Sequence, residues 1–205
     1  MSTVPYPVAN LFPMKYATIW RRFWAALLDF LVLLPILVVT LYVKRHIQNS
    51  FLLACSIIVS YSYANVYSIW MHSRTGQTLG KRVTGVRVLD EDELWAPPLR
   101  EAVLMNIGNV VYSLCLMAMA LIAVATHTYS QQSFLKNSTH KTLTHLYECW
   151  VVADFVCIFC NRKHRSLHDL IAGTVVVRNR DYMVESNLRM QALMQANTKR
   201  PDTIG

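Results

Sequence analysis

Charge is scarce in this chain. Of its 205 residues only 16% are Asp, Glu, Lys or Arg, while 54% are hydrophobic; soluble domains average about 25% charged. That balance excludes an ordinary water-soluble globule and points to several membrane crossings within a single domain. A cleavable signal peptide is also missing. The first apolar run is too long for an h-region and no small-residue cleavage site follows it, so it is expected to stay as a span. Five cysteines, an odd count in mostly apolar surroundings, give no disulfide framework. No internal repeat and no low-complexity tract stands out. The net charge of +8 comes without a basic face interleaved with stacking aromatics, so nucleic acid is not an expected partner.

What is present is a series of long apolar runs. Each approaches the ~20 residues that cross ~30 Å of hydrocarbon. Spans are expected at about 23–43, 51–71, 102–125 and 142–160; the last is weakest, since it holds His145, Glu148 and Asp154. Sixteen Lys and Arg fall in the N-terminal segment, the middle loop and the tail, against four in the other two loops. The positive-inside rule then puts both termini and the middle loop in the cytoplasm. The expected organisation is a lead-in at 1–20, a membrane domain at 21–180 and a cytoplasmic tail at 181–205.

Asp29 lies six residues inside the first run. A carboxylate at such depth costs roughly 2.5–3.5 kcal/mol on insertion scales and marks a functional-site hypothesis. Arg22, seven residues earlier, shares its helix face but sits ~10 Å away along the axis, too far to touch. Arg22 is therefore expected at the membrane edge, snorkelling to phosphates, and Asp29 needs a basic or hydrogen-bonding partner from a neighbouring segment. Asp154 in the fourth run lies at nearly the same depth as Asp29. Two carboxylates on one level would make a cation or proton site; the alternative is that each pairs separately. Polar stripes on the second run (Ser56, Ser60, Tyr63, Tyr67) and the third (Asn106, Asn109, Ser113) serve as interhelical glue or line a path.

The middle loop carries Gly76, Gln77, Gly80, Lys81 and Arg82. It is not a P-loop: the glycines are one residue too close and Arg82 stands where Ser or Thr would bind magnesium. Val83 to Val88 reads as a short strand, as does Val175 to Val177, and the two can pair at the membrane surface. Asp169 is then expected to anchor Lys81 or Arg82. His164 and His168 share a helical face, but no further ligand has metal-site spacing. Cys157 and Cys160 lack a second pair. With no nucleophile–base pair, neither an enzyme, a metal nor a cofactor is expected.

Three blocks together resemble the RDD family of small multi-span membrane proteins, named for one arginine and two aspartates. They are Arg21–Asp29, where Arg22 and Asp29 match the family's arginine and first aspartate; Gly76–Asp90, its Gly-Gln-Thr-x-Gly-Lys-Arg segment; and Arg165–Val177, with Asp169 as second aspartate. Asp154 is not part of the pattern. The resemblance implies either cation/proton exchange or other transport, or an accessory place in a larger membrane complex, as in a eukaryotic relative that looks like part of a membrane ubiquitin-ligase assembly.

The expected fold is an all-α membrane protein, a four-helix transmembrane bundle with a short cytoplasmic β element. The expected function is transport or exchange of a cation, proton or small solute; the alternative is a non-catalytic scaffold subunit. The expected partners are the lipid bilayer, further copies of the chain or members of a membrane complex. A bacterial inner membrane is the expected location, with an organellar or endoplasmic-reticulum membrane as the alternative. Arg22, Asp29, Asp154 and Asp169 are the candidate charge network, with Gly76, Gln77, Gly80, Lys81, Arg82 and His168 as its cytoplasmic motif.

Overall fold

The computed structural model describes Tyr16, residues 18–46 and residues 49–198. Helix α1 (Ile19–His46) runs unbroken through Pro35. Helix α2 (Ser50–Thr75) starts on Asn49, whose side chain accepts from the Phe51 and Leu52 amides, and ends on Gly76 at φ 67°. After the short α3 (Leu79–Thr84) comes strand β1 (Val86–Asp90). The third apolar run is broken into α4 (Leu99–Met105) and α5 (Ile107–Ala125). Asn106 causes the break: its side-chain amide donates to the Ala102 carbonyl and its oxygen accepts from Ser68, competing with the helical ladder. Helix α6 (Gln131–Lys136) turns the chain, and α7 (Ser138–Cys157) returns beside α5 to the short α8 (Leu167–Ala172). Strand β2 (Thr174–Arg178) and helix α9 (Asn179–Thr198) complete the described chain.

Helices α1, α2 and α5 are long and apolar enough to cross a membrane; α7 is not, because of its polar residues. Its place in the bundle comes from topology. α5 leads away from the sheet and α7 leads back to it, since β1 and β2 pair antiparallel with Val88 opposite Val176. Phe23, Phe30, Val38 and Val39 of α1 are exposed, the surface a lipid-facing helix presents. At the sheet end, Val86, Val88 and Val176 pack with Met105 and Ala172, while Leu89, Val175 and Val177 pack with Tyr16 and Tyr182. Both faces of the ribbon are therefore covered, and the sheet with α3, α4 and α8 forms a cap on one end of the bundle.

Two expectations are corrected. Val83 belongs to α3, not to the strand; β1 begins only after Gly85 turns the chain at φ 70°. An internal repeat is present, in structure more than in sequence. Thr78 and Ser166 cap α3 and α8 with the same backbone angles (φ −75°, ψ 171°), each accepting the amide of the helix's third residue. Both helices are six residues long and end on a left-handed glycine, Gly85 or Gly173, that enters a strand. Each follows a pair of long helices, α1–α2 in one half and α4/α5–α7 in the other. α3 packs on α1 as α8 packs on α4.

Candidate functional site

Arg22 is not a lipid anchor. Its guanidinium turns inward, with 13% of the side chain exposed, and its Nη1 donates to Asp169 Oδ2 at 2.6 Å. Nη2 donates to the His164 carbonyl and Nε to Thr18 Oγ1, both at 3.1 Å. Asp169 is fully buried. It closes a capping box with Ser166 and accepts weakly from Thr174 Oγ1 at 3.4 Å. Burial alone would raise the Asp169 carboxyl. The charge of Arg22, then His168, then the Arg22 hydrogen bond and Lys81 outweigh it and hold the group well below the usual carboxylate range. The expected partner of Asp169, Lys81 or Arg82, is thus replaced by Arg22. Arg82 is exposed.

Among the described residues Asp29 finds three neutral donors and no cation within ion-pair distance. Tyr67 Oη and the Gly80 amide each donate to Oδ1 at 2.8 Å, and Thr78 Oγ1 donates to Oδ2 at 2.5 Å. The sequence explains the fit. Gly80 lets α3 lie against α1, since a Cβ there would meet the Ala25 carbonyl oxygen at 2.1 Å and Asp29 Cγ at 2.9 Å. Asp29 therefore ties α1 to α2 through Tyr67 and to the start of α3 through Thr78 and Gly80.

The rest of the motif works in the same direction. At Gly76 the left-handed turn brings β1 alongside, with the Val88 amide donating to the Gly76 carbonyl at 2.8 Å. Gln77 is buried and donates from Nε2 to the Val86 carbonyl at 2.8 Å. Asp154 and Asp29 line one cavity, but each has its own donors: Asp154 Oδ1 accepts from the His168 amide at 2.9 Å and lies 2.7 Å from His168 Nδ1.

Lys81 departs from this pattern. It lies on α3 with its ammonium 2.7 Å from Nε2 of His72, and His72 Nδ1 is 2.7 Å from the Ser68 carbonyl. The proton on Nδ1 leaves Nε2 as an acceptor for the ammonium. Burial lowers the Lys81 pKa to about 8; Asp169 and Asp29 oppose the fall and Arg22 adds to it.

Arg22, Asp29, His72, Lys81, Asp154 and His168 all line one cavity of about 680 Å³. Its walls come from both halves of the repeat. A second cavity of about 320 Å³ shares Ser68, Asn106, Asn109 and Tyr147 with it and is lined by Ser60, Asn65 and Ser113. Both expected polar stripes thus face the interior, where Asn65 donates to Ser113 and Tyr147 to Asn109. His72 and Thr78 belong to the site although their sequence context suggests no role there, and Tyr67, one of the expected polar stripe, joins α2 to α1 by donating to Asp29. The usable signal was Thr78, an N-cap residue directly before a helix-starting Leu-Gly pair. No group of three metal-ligating side chains occurs among the described residues.

Comparison with known proteins adds one match. The RDD family model matches residues 16–173, which include Arg22, Asp29, the Gly76–Arg82 segment and Asp169. No curated protein matches the chain, and no solved structure does. With three helices fit to span a bilayer and the Arg–Asp–Asp set joining them to the cap, the chain is an integral membrane protein that belongs to the RDD family.

Proposed function

We propose that this protein is a non-catalytic membrane scaffold, a subunit whose cap is held rigidly on its spans so that other membrane components can assemble against it. The observation that carries this reading is the engagement of the three motif charges. Arg22 and Asp169 close on each other across the cap, and both oxygens of Asp29 are taken by donors from α2 and α3. A coordinating or titrating carboxylate must offer acceptor positions to its cargo, and three of the roughly four that Asp29 has are already filled by donors of the chain. By the Lys and Arg count the cap faces the cytoplasm.

A second reading, passage of a proton, cation or small solute, is favoured by the two contiguous polar cavities lying between the halves of the repeat. Transport sites commonly sit at such repeat interfaces. Reconstitution decides between them. Proteoliposomes of the full chain are loaded with pH- and ion-sensitive dyes and compared with Asp29→Asn and with empty vesicles. The scaffold reading expects flux no greater than that of empty vesicles. Flux in the wild type that falls in Asp29→Asn would overturn it.

A further inference from the structure

The larger cavity contains a cation whose neighbours have all turned to other partners. Lys81 takes part in none of the ion pairs among the described residues. Its hydrogen-bond partner is His72, a neutral acceptor that uses one of the three ammonium hydrogens. The carboxylates that could have paired with it are engaged: Asp29 with Tyr67, Thr78 and Gly80, and Asp169 with Arg22 and Ser166. Asp154 is held by His168. Lys81 is largely covered, and Asp169 and Asp29 act on it only across a gap, with no carboxylate of the described residues in contact; a desolvated cation so placed is costly and ordinarily finds a direct counter-ion.

The space beside Lys81 is large enough to supply that charge from outside the chain. A water takes about 30 Å³, and the cavity has about 680 Å³, within the range of small-molecule sites. Its lining includes the polar Arg22, His72 and His168, the carboxylates of Asp29 and Asp154, which already accept from donors of the chain, and the apolar Phe30, Leu33 and Trp150. Arg22 also lines the cavity, its charge already met by Asp169. The two halves of the repeat sharpen the contrast. Lys81 occupies in α3 the position that Asp169 occupies in α8, and Asp169 has its counter-ion within the chain.

We propose that this cavity is a binding site for an anionic oxygen group, a phosphate or carboxylate, held on Lys81 with the apolar wall covering the rest of the ligand. The group comes either from an acidic lipid whose chains follow Phe30 and Leu33 or from a free anion in the aqueous phase. The proposal does not depend on whether anything crosses the membrane.

The test uses the purified full chain with two probes. One is phosphatidic acid in mixed micelles, read by lipid retention in native mass spectrometry and by thermal shift. The other is inorganic phosphate, read by thermal shift alone. Lys81→Met fills the same space without the charge and so should fold; Lys81→Arg keeps the charge. Binding of at least one probe to the wild type is expected, at least about tenfold weaker in Lys81→Met, since a charged hydrogen bond is lost, and kept in Lys81→Arg. A response to phosphatidic acid alone identifies a lipid headgroup; a response to phosphate identifies a free anion. Equal binding by wild type and Lys81→Met, or binding of neither probe to the wild type, overturns the proposal.

Discussion

Lys81 and Asp169 stand at the same position, the third residue, of two short helices with matching caps, and only Asp169 has its counter-ion in the chain. The difference arises in α1, which meets both halves of the cap. At Arg22 it presents a guanidinium to α8, and at Asp29 it presents a carboxylate to α3. That carboxylate goes to Thr78 and the Gly80 amide rather than to Lys81. The Arg–Asp–Asp set is therefore a joint between one long helix and a two-fold repeated cap.

Arg22→Ala should be among the most damaging single changes in the protein. It leaves Asp169 fully buried without its cation, and breaking a buried pair in this way costs about 3–5 kcal/mol. Arg22→Lys should cost less, keeping the charge but losing the fork that reaches Thr18 and His164. Thermal unfolding in detergent micelles would order the three proteins. An Arg22→Ala protein as stable as the wild type would refute the joint.

Gly80→Ala should be far worse than Gly85→Ala, although alanine is the better helix former. At Gly80 the new methyl collides with the Ala25 backbone, so α3 must move off α1 and the Asp29 contacts go with it. At Gly85 the nearest obstacle is the flexible end of Arg21 at 3.2 Å, and the cost is that of a left-handed backbone at φ 70°, about 1–2 kcal/mol. Folded yield and melting temperature of the two variants test the order; the reverse order would mean that α3 is not seated on α1 through Gly80.

The apolar runs were legible because a bilayer demands long uninterrupted stretches, and composition alone reveals those. The pairing of the two valine segments was legible for a similar reason, as β-branched residues cluster where a buried ribbon needs them. Val83 misled because it shares that chemistry, yet Thr78 and Gly85 bracket it as cap and stop and impose a helix. The repeat is faint in the sequence because Thr78-Leu-Gly-Lys-Arg-Val-Thr-Gly85 and Ser166-Leu-His-Asp-Leu-Ile-Ala-Gly173 share little beyond a cap, a leucine and a glycine. The Arg22–Asp169 pair joins residues 147 apart. Nothing local singles out that partner over Lys81, which is near in the cap but turned toward His72.

Replacing Asp29 separates hydrogen bonding from charge. Asp29→Asn retains one carbonyl oxygen for Tyr67 and Gly80 and can donate its amide to the Thr78 hydroxyl, so it should lose little, about 1 kcal/mol. Asp29→Leu leaves the Thr78 and Tyr67 hydroxyls and the Gly80 amide without an acceptor and should lose several times as much, at about 1–3 kcal/mol for each buried group stranded. Melting curves of the two variants measure the gap. An asparagine variant as unstable as the leucine variant would show that the negative charge itself, rather than its acceptor geometry, holds α1 to α3.

Stability should respond to pH at both ends of the scale, in directions fixed by two groups of the cap. Asp169 is held below its ordinary pKa, so the folded chain gains from its ionised form. That gain is complete above about pH 5 and is lost as pH falls toward the folded value, because the unfolded chain takes up the proton first. Lys81 works in the opposite sense, its pKa falling from 10.5 to about 8 on folding. Below pH 8 both states hold the proton and the folded chain bears the full penalty of the buried ammonium. Between about 8 and 10.5 the folded chain has released the proton and the unfolded chain has not, so the penalty fades as pH rises. Lys81→Met should therefore be more stable than wild type at pH 7 by up to about 3 kcal/mol, and the advantage should shrink toward pH 10. Melting temperatures of the two proteins at pH 7, 8, 9 and 10 follow the difference, in which the other titrating groups cancel. A difference that stays constant across that range would mean that the ammonium is not desolvated in the folded chain.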